Sequence, residues 1–238
     1  MNVRFNDLTN SLIFYSTNQR GEAMNITGRE RKYRNIYLFL TLIFALSLVS
    51  CAASKTYWLN LRADPTVQKT PTTKLTIGVL PFQDNRPPSA RVGQRVLSNG
   101  KEEPIRLKSS YPAQDITSIF LQLLKARNIR TVELTGWEAA PDNLKNLPEE
   151  VDIAIAGYVD ALEVKASSYT FKTEIRYQVK FSAKVGFKAQ GKVLTKMVEG
   201  RPEESVVRFK REEVEKTLNE TLTSALGRLI DSAISSAG

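Results

Sequence analysis

The chain has 238 residues, with 34 Lys and Arg against 25 Asp and Glu for a net charge of +9, one cysteine and no histidine. A single cysteine excludes a disulfide within the monomer, and the lack of histidine removes the usual general base, the commonest metal ligand and any Ser-His or Cys-His pair. Gly93, Gly100 and Gly136 stand apart from one another, so no glycine-rich phosphate loop is present. The sequence therefore predicts no enzyme, no metal site and no cofactor.

In chain order, the first informative stretch is a basic cluster, Arg29, Arg31, Lys32 and Arg34, followed by an uncharged apolar run over residues 36–50. That is the layout of a secretory signal peptide, and 15 residues fall short of the roughly 20 needed to cross a bilayer. The run ends in Leu48-Val49-Ser50-Cys51, a Leu, two small or apolar residues and a Cys, which is the lipobox of bacterial lipoproteins. Leu48, Val49 and Ser50 are read as the signal-peptidase recognition residues and Cys51 as the lipidation site, carrying a diacylglyceryl group and a further chain such as palmitate. At about 0.8 kcal/mol per buried methylene, two or three such chains form a lasting membrane anchor. Residues 1–23 are polar and lie far upstream of the basic cluster, so Met24 is read as the true start.

Removal of residues 1–50 takes away six basic and three acidic residues and leaves 188 residues with 28 basic and 22 acidic side chains, a net charge of +6. This length suffices for one well-buried domain plus a tether. Export excludes nucleic acid as a partner. Ala52 and Ala53 follow the anchor with no Asp beside it, which by the sorting rule of enteric lipoproteins places the protein at the outer membrane, facing the periplasm.

Residues 51–73 read as the lipidated Cys and a tether, because Asp64-Pro65 and Pro71-Thr72-Thr73 interrupt any regular pattern. A flexible 20-residue coil would reach on the order of 25 Å. Within it, Tyr57-Trp58-Leu59-Asn60-Leu61 is too apolar for a pure linker. Two readings stand side by side: the aromatic pair lies in the lipid headgroup zone, or the segment packs on the domain as an edge strand.

The domain is assigned to residues 74–238. Residues 75–82 read as a buried strand, closed by Asp84-Asn85-Arg86 and Pro87-Pro88. A loop or small hairpin is expected around Ser98-Asn99-Gly100. Pro112 opens a helix with Ile116, Ile119, Phe120, Leu123 and Leu124 on one face, ending near Asn128, a residue that tolerates a left-handed cap. A strand follows over 129–134. An irregular stretch over 135–148 holds Trp137, read as a lid over the core, and a helical turn around Asn143.

Residues 151–165 form a long strand whose apolar phase changes, which a one-residue bulge near Asp160 explains. After a turn over 166–170, residues 171–189 alternate strictly, with Phe171, Ile175, Tyr177, Val179, Phe181, Val185 and Ala189 among the core-facing positions. Nineteen residues would run roughly 63 Å, so either a bend, with Gly186 as its place, or an overhang beyond the helices is expected. A last strand over 193–198 and a helix over 211–235 complete the chain. That helix carries a stripe of Val214, Leu218, Leu222, Ala225, Leu226 and Leu229, with Glu212, Glu213 and Glu215 at its positive end.

The fold class is α+β: a mixed or antiparallel sheet of about five strands with two helices packed on one face. Lys172, Arg176, Lys180, Lys184 and Lys188 fall on the opposite face, which is left to solvent or to a partner. The lipobox, the Pro-broken tether, residues 77–86 with Val92-Gly93 after them, the amphipathic helix, residues 152–157, the long strands and the terminal helix together resemble the YajG-type family of uncharacterised bacterial lipoproteins. That resemblance implies an envelope lipoprotein and carries no activity, ligand or cofactor. A second resemblance, resting on Thr56-Tyr57-Trp58-Leu59, is to the auxiliary lipoproteins of lipid-transport ABC systems. The functional expectation is a non-catalytic binding or scaffold module of the cell envelope with a protein partner; the alternative is an accessory that handles phospholipid or glycolipid.

Overall fold

The computed structural model describes residues 55–64, 74–87 and 92–237. The lipobox, Leu48 to Cys51, and the apolar run before it lie outside the described residues. Strands β1 Tyr57–Leu59, β2 Thr76–Val79, β3 Gln83–Asp84, β4 Gly93–Val96 and β5 Glu102–Leu107 precede helix α1, Pro112–Ala126. Then come β6 Arg130–Glu133, a 3-10 turn Pro141–Asn146, β7 Ile153–Ser168, β8 Thr173–Phe187, β9 Lys192–Gly200, β10 Glu203–Val206 and helix α2 Arg211–Ser235.

All ten strands of the described residues join one mixed sheet, twice the five expected. The extra strands are two to six residues long, too short to show a period of their own, and they are strands because longer neighbours offer them a ladder. The long hairpin β7–β8 is that frame. Its β8 edge takes β9 and β10 antiparallel. The outer edge of β7 is shared along its length by three parallel strands: β2 from Ile153 to Ile155, β3 at Tyr158 and Val159, and β4 from Val164 to Ser167. β6 extends β2, and β5 then β1 extend β4.

The phase change expected in β7 is a register shift between Val159 and Ala161, which leaves Asp160 as the extra residue. The bulge lets Val159 and Leu162 both face the core. β8 is shorter than its pattern suggested: it starts at Thr173, and Phe171, assigned to the core, is 84% exposed in the turn. Ala189 is likewise exposed, beyond the strand end. Alternation continues past a strand wherever a turn residue happens to fall in phase.

Both α-helices of the described residues pack on one sheet face. Ile116, Ile119, Phe120, Leu123 and Leu124 of α1 and Val214, Leu218, Leu222, Leu226 and Leu229 of α2 join Ile175, Tyr177, Val179, Phe181, Val185 and Phe187 in one core. Pro112 opens α1 and Asn128, at φ 56°, ends it. Arg127, at the same end, donates to Asp231 at 2.7 Å and to the Gly227 carbonyl at 3.4 Å, fastening α1 to α2.

A smaller cluster covers part of the other face. Trp137, Leu144 and Leu147 lie over Ala154, Ala156 and Val193, so Trp137 is a lid, on the side opposite the helices. Gly186 does not serve as a bend: β8 runs through it, and a Cβ there would fall 2.5 Å from Leu144 Cδ2 and 2.7 Å from Trp137 Cη2.

The stretch read as a tether is built into the domain over residues 55–64. β1 pairs with β5, burying Tyr57 and Leu59 and turning Trp58 outward, which is the edge-strand reading. Residues 60–64 then run along α2. Glu215 accepts from the Asn60 amide, Asn219 from the Arg62 amide and Thr223 from the Asp64 amide, each at 3.0 Å, while Asn219 also donates to the Asn60 carbonyl at 3.0 Å. Side chains four apart on one helix face thus meet the backbone of alternate residues, which satisfies a segment that no strand flanks.

Candidate functional site

The three strands sharing the outer edge of β7 do not abut. β3 leaves at Val159, whose carbonyl accepts from the Asn85 amide at 3.1 Å, and β4 arrives at Val164, whose amide donates to the Val92 carbonyl at 2.7 Å. At the bulge between them is a groove of about 520 Å³, lined by Arg86, Gln94, Asp160, Glu163, Lys165 and Gln178 among others. Gly93 forms its rim: a Cβ there would sit 1.7 Å from the Val164 carbonyl oxygen, so β4 approaches β7 this closely only with glycine.

Arg86 is the central group. Its Nε and Nη2 donate to the two carboxylate oxygens of Asp84 at 2.8 and 2.7 Å, and its backbone amide donates to Asp84 as well at 3.1 Å. The guanidinium holds the Asp84 carboxyl below its ordinary pKa. The side chain is 7% exposed, yet among the described residues Nη1 has no hydrogen-bond partner. Asp160 Oδ2, buried at the bulge, also has none. One unspent donor on a cation and one unspent acceptor on a carboxylate therefore line the same groove. Each is costly to leave unmatched, by about 1–3 kcal/mol. The groove is chemically suited to a polar group that accepts from Arg86 and donates to Asp160.

Around the groove the open part of the sheet is charged and mixed. Lys165 pairs with Glu163 at 2.7 Å, and Gln178 donates to Glu199 at 2.9 Å. The bonds from Arg201 and Gln178 keep the Glu199 carboxyl below its ordinary pKa.

The five residues read as a basic face are placed as follows. Lys172 lies in the β7–β8 turn against Glu174 at 2.6 Å, Arg176 pairs with Glu203 at 3.4 Å, and Lys180 stands opposite Glu199 in the β8–β9 register. Lys184 stands opposite Thr195, and Lys188, past the end of β8, donates to the carbonyls of Pro148 and Glu149 at 2.9 and 3.2 Å. The face thus carries Glu163, Glu174, Glu199 and Glu203 between its cations. Arg176 and Lys180 neighbour the groove strands; Lys188 instead ties down the segment that covers the opposite end of the sheet.

In sequence, Arg86 shows only as part of the Asp84-Asn85-Arg86 segment that closes a strand, and Asp160 only as the place of a phase change, so neither stands out as a site residue. The available signal was Asp160 itself: a carboxylate at a predicted bulge, where a side chain is re-aimed.

No family model matches the chain, and no curated protein matches it. Solved structures do show likeness at low identity. Protein XCC0632 from Xanthomonas campestris, of family DUF330, is 11% identical, with 74% of this chain and 93% of that one covered and a TM-score of 0.44. A putative neuraminyllactose-binding hemagglutinin homolog from Helicobacter pylori is 7% identical, with 74% and 96% covered and a TM-score of 0.38. Lipoprotein GNA1162 from Neisseria meningitidis is 12% identical, with 68% and 96% covered and a TM-score of 0.31. All three TM-scores are below 0.5, so the site stands on its own residues.

Proposed function

We propose that the protein is a YajG-like, non-catalytic binding module of the bacterial cell envelope, anchored through Cys51 to the outer membrane on its periplasmic side, with the groove at Arg86 and Asp160 as the place where an envelope protein docks. The observation that carries this reading is the Arg86 guanidinium: two of its nitrogens are held by Asp84, and the third is buried with no partner among the described residues. An arginine fixed by a bidentate carboxylate is preorganised to donate in one direction. Anchoring rests on the signal peptide and on Leu48, Val49, Ser50 and Cys51; the non-catalytic reading rests on a chain without histidine whose only cysteine is the anchor. Arg176 and Lys180, with the glutamates between them, form a polar surround to the groove. The groove is mixed in character, and the six charged or polar side chains among its lining residues, Arg86, Gln94, Asp160, Glu163, Lys165 and Gln178, support a protein partner over the acyl chains that a lipid-handling accessory would hold.

Two measurements test this. Labelled palmitate should enter the wild-type chain and not Cys51→Ala; label retained in that variant would overturn the anchor. A photo-crosslinking residue at Gln94 or Lys165, on the groove, should trap a discrete protein in intact cells, and Arg86→Leu should abolish the adduct. The same adduct formed from Lys184 and insensitive to Arg86 would move docking away from the groove, and phospholipid recovered in its place would favour the lipid-handling alternative.

A further inference from the structure

The domain begins closer to its proposed anchor than a tether over 51–73 would allow. Lys55 is the first described residue, Tyr57 and Leu59 are core residues, and residues 60–64 are bonded along α2. Three residues lie between Cys51 and Lys55, so four Cα–Cα steps, at most about 14 Å of extended chain, join them. The surface around β1 is therefore the part of the domain held nearest the bilayer when Cys51 is acylated.

That surface has a composition suited to the position. Trp58 points outward and is 46% exposed. Its partner in the parallel β1–β5 register is Arg106, on the same side of the sheet and exposed. Lys55, Trp58, Lys108, Lys210 and Arg211 line one shallow hollow of about 490 Å³. Lys210 and Arg211 are matched by Glu213 and by Glu212 and Glu215. Lys55 sits over the Tyr57 ring at 5.0 Å. Arg106 and Lys108 have no ion pair among the described residues. Glu212 lines the same hollow, so the cations left without an ion pair or ring contact beside the exposed indole are Arg106 and Lys108. An indole next to such cations is the pairing that settles at a lipid headgroup layer, where the ring takes the interfacial zone and each cation meets anionic charge.

We propose that the β1–β5 edge is a membrane-apposed face that rests on anionic phospholipid, so that the domain lies on the bilayer and presents its groove sideways or outward. This rests on Cys51 as the anchor, and the test is independent of acylation. The probe is the mature chain from residue 51 with Cys51→Ser, mixed with phosphatidylcholine vesicles with or without about 30% phosphatidylglycerol to supply the anionic charge. The chain has two tryptophans, and the other, Trp137, is buried at 8% exposure, so Trp58 reports the contact. A blue shift of emission with anionic vesicles is expected, absent with phosphatidylcholine alone, reversed at about 0.5 M salt and absent in Trp58→Phe. Arg106→Gln and Lys108→Gln should each weaken cosedimentation about fivefold. Lack of both sedimentation and shift would overturn the proposal; so would sedimentation with no change at Trp58, since another basic surface would then be the one facing lipid. Failure here with palmitate labelling intact would leave the anchor standing and remove only the apposed face.

Discussion

The outward face of the β7–β8 hairpin is one continuous surface that behaves as two. At one end Ala154, Ala156 and Gly186 are small, and Trp137, Leu144 and Leu147 close over them. At the other, past the bulge at Asp160, the side chains are Glu163, Lys165, Gln178 and Lys180, and nothing among the described residues covers them except the rims of the groove. The difference is one of side-chain volume and polarity along a single pair of strands. Small residues admit a covering segment, whereas long charged ones hold it off and keep their hydration. Stability should therefore be concentrated in the closed end and binding in the open one.

The largest expected effect lies at the closed end. Trp137→Ala removes the cover of the second core and should cost about 3–5 kcal/mol, read by urea unfolding. It takes the largest side chain out of the cluster that holds Leu144 and Leu147, so proteolysis within 136–148 should quicken. A loss under about 1 kcal/mol would mean that this segment is a loosely held flap and that the two ends are alike. Gly186→Ala is next. Its methyl would meet Leu144 and Trp137 at 2.5 and 2.7 Å, and because these are side-chain ends that can shift, about 1–3 kcal/mol is expected. An unchanged unfolding midpoint would show the cover to be displaced already in solution.

At the open end, Asp84→Asn sharpens the contrast through pH. Asp84 has a folded pKa below its ordinary value of 3.8 because Arg86 favours the carboxylate. Such a depressed group contributes stability that is present above the unfolded pKa and is lost as pH falls through the folded one. The wild type should therefore be more stable than Asp84→Asn near neutral pH, and the gap should close below about pH 4. The gap is small because the carboxylate is one-third exposed. The informative readout is its pH dependence in paired urea titrations, and a gap independent of pH would show that Arg86 is held by something other than charge.

These two ends were not equally legible in the sequence. The alternation of β8 between Thr173 and Phe187, the apolar stripes of both helices, the phase break at Asp160 and the cap at Asn128 are each set by local pattern and fall where expected; only the ends of the alternation, Phe171 and Ala189, overrun the strand. What escaped was decided by partners distant in sequence. β3 and β4 are strands only because β7 is long enough to carry three neighbours on one edge. Asn219 and Thr223 interrupt the apolar stripe of α2 and are buried there because residues 60–64 need acceptors and donors. Arg86 reads as surface charge until the β3 and β4 segments fold it against the bulge. Polar residues inside an apolar stripe, or at a bulge, are the sequence-level trace of such long-range satisfaction.

The smallest expected effect completes the contrast. Lys180→Gln lies on the open end, where its charge is screened and its partner Glu199 is already bonded to Gln178 and Arg201. Its unfolding free energy should change by no more than about 0.5 kcal/mol. Partner crosslinking from Lys165 should nonetheless weaken, because the groove's surround loses a cation that faces whatever docks there. Measured together, an unmoved midpoint and a weakened crosslink separate a binding residue from a structural one. An unmoved midpoint with crosslinking intact would mean that Lys180 is simply a solvated strand residue and that recognition is confined to Arg86 and Asp160.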